Sequence, residues 1–125
     1  MKRIMILLLF ALMVIGMQAQ KQISYIKQDG SWYQVYDESG KIITSFTKSS
    51  IGEIKGWGND FFVAKYYSFY RIYDAKGKVL KVLNVSEVGE IVGVSGKTFT
   101  SHRDSWIIIW DKDGKKLSVK SKSAP

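Results

Sequence analysis

Short runs of alternating apolar and polar residues, separated by Gly, Asp, Asn and Ser, recur along the chain after residue 20. In one such run Trp32, Gln34 and Tyr36 share a face, while Tyr33 and Val35 share the opposite face. The runs are rich in β-branched and aromatic residues, and this pattern predicts antiparallel strands joined by short turns. No helix is predicted in this part of the chain.

The strand pattern repeats with a period of 37 residues. Tyr36–Lys41, Tyr73–Lys78 and Trp110–Lys115 all read aromatic-Asp-x-x-Gly-Lys. A fixed period of this size is typical of proteins built from tandem structural units. The sequence therefore predicts an all-β domain of three antiparallel β-meander repeats.

The predicted domain spans residues 20–125, with repeats at about 20–57, 58–94 and 95–120 and a tail at 121–125. The expected packing is a compact pseudo-threefold arrangement of blade-like repeats. A β-trefoil-like barrel and an open stack with a capped end are the alternatives.

The Asp of each repeated motif is predicted to shape a turn. An Asp side chain can accept hydrogen bonds from backbone amides that follow it, and the Gly adopts the positive φ that closes a short hairpin. Asp37, Asp74 and Asp111 are therefore interpreted as turn residues, without a catalytic or metal-binding role.

The third repeat differs from the second in its last two strands. Trp106–Trp110 is apolar on both faces, which predicts a central strand covered on both sides. Lys116–Lys120 is polar where the second repeat has the apolar Val79–Leu83. Polar substitution in a terminal repeat is typical of a capped, exposed end.

Part of the second repeat resembles one blade of a β-propeller. The resemblance is carried by Ile54–Ala64, followed by Phe69–Asp74 and Gly77–Leu80. The whole layout also resembles small secreted bacterial proteins of three such repeats, which have no assigned activity. The resemblance implies blade-like units and no functional residues. Closed propellers typically have four to eight blades, so three repeats fall short of a ring.

The N-terminus has the pattern of an export signal. Met1–Arg3 is basic, Ile4–Met17 is apolar, and a small residue follows at Ala19. The apolar run is shorter than the roughly 20 residues of a membrane-spanning helix. The prediction is a signal peptide at residues 1–19 and a secreted or periplasmic protein with no membrane span after cleavage; an uncleaved anchor is the alternative. The chain has no cysteine, so it is not predicted to be a lipoprotein.

The excess of basic residues is scattered. Of the 19 Lys and Arg, 17 follow the predicted signal peptide, among all 11 acidic residues. A scattered excess is typical of a solvated surface, whereas a nucleic-acid-binding protein concentrates basic residues on one face. No nucleic-acid partner is predicted.

Catalytic and metal-binding patterns are weak. His102, Asp104 and Ser105 are too close together in sequence to converge as a catalytic triad. One histidine and no cysteine make a zinc site improbable. We expect no enzyme activity, catalytic residue, metal or cofactor, with a small hydrolase using Glu53 and Glu90 as a remote alternative.

Aromatic side chains are the strongest candidates for function. The chain has four Trp, seven Tyr and six Phe, more than so small a core hides. Those in predicted central strands are expected in the core: Trp32, Trp106 and Trp110.

Strand ends and turns carry the predicted ligand-binding residues, which are Trp57, Tyr66, Tyr67 and Arg103. They predict a non-enzymatic binding or structural module whose partner is an envelope protein or a glycan. A carbohydrate-binding module using the same aromatics is the alternative.

Overall fold

The computed structural model describes residues 22–122. The predicted signal peptide and the end of the predicted tail lie outside this range. The described elements, in chain order, are β1 (Ile23–Asp29), β2 (Trp32–Asp37), β3 (Ile42–Thr47), α1 (Lys48–Ile51), β4 (Glu53–Trp57), β5 (Phe61–Tyr66), β6 (Phe69–Asp74), β7 (Val79–Asn84), α2 (Val85–Val88), β8 (Glu90–Ser95), β9 (Thr98–Arg103), β10 (Trp106–Asp111) and β11 (Lys116–Ser121).

The fold is all-β, with three separate antiparallel sheets. Sheet 1 contains β1-β2-β3, sheet 2 contains β4-β5-β6-β7, and sheet 3 contains β8-β9-β10-β11. Every pairing joins strands adjacent in sequence. Three separate meanders are not a continuous barrel, so the barrel alternative does not describe residues 22–122.

Equivalent strands recur at the predicted spacing, but the sheets are offset by one strand from the predicted repeats. β2, β6 and β10 begin at Trp32, Phe69 and Trp106, 37 residues apart. β4 was predicted within the first repeat, yet it pairs with β5 and belongs to sheet 2. Within the described residues, sheet 1 has no counterpart of β4 or β8.

The expectation that no helix would occur was wrong at two places. α1 and α2 are single turns, each followed by a glycine with φ 85°, Gly52 or Gly89. The glycine N–H donates to the first carbonyl of the turn, 2.8 Å from Lys48 O and 2.7 Å from Val85 O. Four residues are too few to show helical periodicity in the sequence.

The repeated Asp residues shape the hairpins as predicted. Asp37 Oδ1 accepts from the N–H of Ser39 at 2.9 Å and of Lys41 at 3.0 Å. Asp74 and Asp111 make the equivalent pairs of bonds, all at 2.9 Å. Each hairpin is completed by a positive-φ glycine, which is Gly40, Gly77 or Gly114.

Two hydrophobic clusters hold successive sheets together. The first cluster joins sheets 1 and 2 through Ile23, Ile26, Tyr33, Val35, Ile51, Phe62, Ala64, Tyr73 and Ala75. The second joins sheets 2 and 3 through Phe61, Val63, Tyr70, Ile72, Leu83, Val88, Ile91, Phe99, Ile108 and Trp110. Sheet 2 is therefore covered on both faces, because alternate residues of its strands enter different clusters.

Two of the three tryptophans predicted for the core are exposed. Trp110 is buried in the second cluster, but Trp32 and Trp106 are each 48% exposed. Both begin their strands beside a turn, where no sheet covers them. The prediction that β10 is covered on both sides was also wrong: Ile108 is buried against sheet 2, while Ile109 is half-buried.

Candidate binding cleft between sheets 1 and 2

Two adjoining depressions lie beside α1, at the boundary of sheets 1 and 2. The first has a volume of about 300 Å³ and is lined by Ile26, Gln28, Tyr33, Lys48, Glu53, Ile54 and Trp57. The second has a volume of about 430 Å³ and is lined by Lys48, Ser49, Gly52, Glu53, Lys65, Tyr66 and Tyr67. Lys48 and Glu53 border both, and we call the pair of depressions the α1 cleft.

Trp57 lies at one end of the α1 cleft. It is the last residue of β4 and is half-buried against the first hydrophobic cluster. Its ring contacts Tyr25 edge to face, with the centroids 5.8 Å apart. Aromatic pairs in this geometry gain about 1 kcal/mol beyond burial, so the Trp57 ring is held in place.

Tyr66 and Tyr67 lie at the other end of the cleft. Their rings meet edge to face with centroids 4.6 Å apart. The guanidinium carbon of Arg71 lies 4.4 Å from the centroid of the Tyr66 ring, in a cation–π contact. Tyr66 is therefore oriented from two sides, whereas Tyr67 is 80% exposed.

The Tyr67 backbone has an unfavourable conformation for its side chain. Its φ is 54°, in the left-handed region that bulky residues rarely adopt. The equivalent residues of the other sheets are Gly30 and Asp104, with φ values of 59° and 53°. Gly and Asp tolerate this region, so only sheet 2 places a large exposed ring there.

The centre of the cleft is polar and carries charges of both signs. Lys48 and Glu53 are exposed, and Glu53 Oε1 forms an ion pair with Lys55 Nζ at 3.4 Å. Gly52 forms part of the floor, and an added Cβ there would collide with the carbonyl oxygen of Lys65. The close approach of the two backbones therefore requires glycine at position 52.

The structure brings three of the four predicted binding residues to one cleft. Trp57, Tyr66 and Tyr67 line it, whereas Arg103 lies at the boundary of sheets 2 and 3. Arg103 occupies the repeat position of Tyr66, and its Nη1 donates to Glu87 O at 3.1 Å. Lys48 is a further cleft residue that the sequence does not indicate, because four residues are too few to predict the one-turn helix that places it.

The two carboxylates considered for a hydrolase have different surroundings. Glu53 lines the α1 cleft, while Glu90 lines neither depression and pairs across the strands with His102. Among residues 22–122, no three His, Asp or Glu side chains are grouped so that they could hold a metal ion.

Comparisons with family models, with curated proteins and with solved structures find no match for this chain. In the part of the chain that the structure describes, no helix is long and apolar enough to cross a membrane.

Proposed function

We propose that this chain is a non-enzymatic binding module of the cell envelope or exterior and that the α1 cleft is its ligand site. The observation that carries the proposal is Tyr67. An exposed aromatic in a backbone conformation that costs stability is typical of a functional position, since a Gly or Asp at this turn avoids the cost. The basic start and apolar run of Met1–Met17 support export.

The proposed architecture is an open stack of three blade-like sheets. Each successive pair of sheets shares one hydrophobic cluster, which supports stacking in chain order. Sheets 2 and 3 each begin one strand earlier than the predicted repeats, with β4 and β8. This order also fits a blade, in which an inner strand precedes the hairpins. This stack takes the place of the compact pseudo-threefold packing expected from the sequence.

A glycan is the second candidate ligand, and a particular arrangement favours it. Aromatic rings lie at both ends of a shallow, open cleft, with Lys48, Glu53 and Gln28 between them. Rings can stack on the apolar faces of sugars, while charged and amide groups bond their hydroxyls. A protein loop would use the same rings as anchors in the cleft.

The test is an affinity capture from envelope extract, analysed for protein and for glycan, with the protein as processed by the expressing cell. The captured ligand is then titrated against the protein and against Tyr67→Asp. Tyr67→Asp keeps the turn, because the third sheet has Asp at this position. We expect this substitution to weaken binding about tenfold or more.

Trp106→Ala is the matched control, because Trp106 is a similarly exposed aromatic on sheet 3 and does not line the cleft. We expect it to leave affinity unchanged. Equal affinity of Tyr67→Asp and the unmodified protein would remove the cleft as the ligand site. A captured polysaccharide would establish the glycan candidate, and a captured protein would exclude it.

A further inference from the structure

The two end sheets of the described chain each leave one face uncovered. The outer face of sheet 1 carries Tyr25, Trp32 and Tyr36, and the first two are each 48% exposed. The outer face of sheet 3 carries Thr100, Ile107 and Lys120, which are half-buried or exposed. Aromatic surface of this kind on a small protein marks a site of interaction.

The two interfaces inside the chain show what covers an equivalent face. Tyr25 and Tyr36 correspond, 37 residues later, to Phe62 and Tyr73 in sheet 2. Both contact Phe46 of the preceding sheet, with centroid distances of 5.8 Å and 6.4 Å. The face that is open on sheet 1 is thus the face that receives the preceding sheet elsewhere in the chain.

The hairpin glycines give an independent sign of the open face. A Cβ added at Gly77 would collide with Phe46, and one added at Gly114 would lie 2.8 Å from Lys81 of sheet 2. Both hairpins therefore pack on the preceding sheet. Gly40 is the equivalent residue of sheet 1, and an added Cβ there meets nothing within 4 Å.

We propose that the outer face of sheet 1 binds the outer face of sheet 3 of a second copy of this chain. Two identical contacts of this kind would close two copies into a ring of six sheets. A head-to-tail interface forms a ring when its rotation closes, and six is within the range of four to eight for ring-forming blades.

Charge complementarity supports this occupant over other partners. Between sheets 2 and 3, Lys112 Nζ pairs with Asp60 Oδ2 at 2.7 Å. By the 37-residue repeat, the position of Lys112 in sheet 3 corresponds to Glu38 in sheet 1, and the position of Asp60 in sheet 2 corresponds to Lys97 in sheet 3. In the proposed contact, Glu38 of one copy therefore lies opposite Lys97 of the other. The signs are reversed, but the pair is again complementary. Both residues are exposed.

The same repeat relation places an ammonium group against aromatic rings. The position of Phe46 corresponds to Lys120 in sheet 3. In the ring, Lys120 of one copy lies against the stacked pair Tyr25–Tyr36 of the other, whose centroids are 6.4 Å apart. A cation–π contact there contributes about 0.5–1 kcal/mol if exposed and more if desolvated.

The residue of sheet 3 at the repeat position of Tyr33 and Tyr70 also fits a contact between sheet 3 of one copy and sheet 1 of another. Tyr33 and Tyr70 use their hydroxyl groups to bond backbone of the next sheet, at Ile54 N and Gly89 O. Sheet 3 has Ile107 at the equivalent position. In the proposed ring the next sheet is sheet 1, and Ile107 would contact it through an apolar side chain.

The test measures mass against concentration by sedimentation equilibrium, using the protein as processed by the expressing cell. We expect a reversible change from monomer to dimer. Glu38→Lys and Lys97→Glu should each raise the dimer dissociation constant about tenfold or more, because each sets like charges opposite one another. The double variant E38K/K97E should restore dimerisation.

The control is Lys76→Glu, an exposed charge change on the hairpin of sheet 2, which should leave the dissociation constant unchanged. A protein that stays monomeric up to about millimolar concentration, in the range of weak complexes, would overturn the proposal. So would a dimer weakened by Glu38→Lys but not by Lys97→Glu, because that result would indicate a symmetric contact of sheet 1 with itself. A double variant that fails to recover would also count against the pairing.

Discussion

The interface of sheets 1 and 2 has a cleft beside α1, whereas at the equivalent place beside α2 the interface of sheets 2 and 3 has an apolar contact and an arginine hydrogen bond. Lys48 borders the α1 cleft, but its counterpart Val85 packs against the second hydrophobic cluster. Tyr66 lines the cleft, but its counterpart Arg103 reaches across to Glu87. Different residues at the same repeat positions thus line a cleft in one interface and make direct contacts in the other.

The first strands of sheets 2 and 3, β4 and β8, add to this difference between the two interfaces. β4 packs closely on β8, since an added Cβ at Gly56 would lie 2.9 Å from Val94. Trp57 is the counterpart of Val94, and sheet 1 offers no strand to cover it among the described residues. Within the described residues, Trp57 therefore lies at the end of the cleft, whereas its counterpart Val94 packs against the second hydrophobic cluster.

The largest expected effect comes from removing a ring at the centre of each interface. Phe62 and Phe99 are equivalent and almost fully buried, and they stack on Tyr73 at 4.9 Å and on Trp110 at 5.9 Å. Phe62→Ala and Phe99→Ala should each lower the free energy of unfolding by about 3–5 kcal/mol, measured by urea denaturation.

A cost below about 1 kcal/mol for either alanine variant would show that its interface is not a cohesive core. Phe62→Leu is the milder control for a variant that fails to fold. Similar losses in the two interfaces would place the difference between them in the cleft residues and not in the packing beneath.

Tyr70→Phe tests the hydrogen bond that seals the second interface. Its hydroxyl donates to Gly89 O at 2.7 Å, while the equivalent Tyr33 hydroxyl is 3.5 Å from Ile54 N. Tyr70→Phe should cost about 1 kcal/mol because a partly buried carbonyl loses its donor, and Tyr33→Phe should cost less. Equal costs in urea denaturation would contradict the contrast between the interfaces.

The pH dependence of stability checks the same group. Burial raises the pKa of Tyr70 above its ordinary value of 10.0. Because the pKa is raised in the folded state, the contribution of the protonated Tyr70 hydroxyl to the free energy of unfolding is complete below pH 10. It is lost as the pH rises through the folded pKa. Unfolding measured from pH 8 to 11 should show a smaller alkaline loss in Tyr70→Phe than in the unmodified protein.

A reciprocal exchange at the left-handed turn position separates stability from function. Tyr67→Asp should raise the free energy of unfolding by about 1 kcal/mol, because Asp tolerates the φ of 54°. Asp104→Tyr should lower it by a similar amount at the other interface. If thermal unfolding shows that Tyr67→Asp destabilises the protein, the ring contributes packing that outweighs the backbone cost.

The sequence predicted the strands and their hairpins because these depend on local chemistry. The role of Asp37, for example, follows from an acceptor placed two and four residues before free amides. The exposure of Trp32 follows instead from its place at the start of a strand beside a turn, where the equivalent Phe69 and Trp106 are also exposed, and aromatic content alone does not carry that information. Aromatic content made Trp32 and Trp110 look alike, although only Trp110 is covered by another sheet.

The candidate site was predicted in part for the same reason. Trp57, Tyr66 and Tyr67 were recognised as aromatics outside the strand interiors, and that is a local property. Their convergence depends on packing of sheet 1 against sheet 2, as does the approach of Gly52 to the Lys65 carbonyl. Arg103 shares the repeat position of Tyr66, but at the other interface its guanidinium donates to the backbone carbonyl of Glu87.

The smallest expected effect concerns the ion pair that only the second interface has. Lys112 and Asp60 are each about one third exposed, while the corresponding positions of the first interface are the buried, apolar Ala75 and Ile23. Lys112→Met should lower the free energy of unfolding by about 0.5 kcal/mol, and added salt should reduce this cost. Lys55→Met should cost less, because the Lys55–Glu53 pair is looser.

The pH dependence of stability tests the same ion pair. The hydrogen bond with Asp60 raises the pKa of Lys112 above 10.5, so the contribution of Lys112 to the free energy of unfolding is complete below that pH and is lost as the pH rises through the folded pKa. The measurement compares Tyr70→Phe with the double variant Tyr70→Phe/Lys112→Met. The decrease in the free energy of unfolding at alkaline pH should be smaller in the double variant. An unchanged loss would show that the ion pair does not strengthen the second interface.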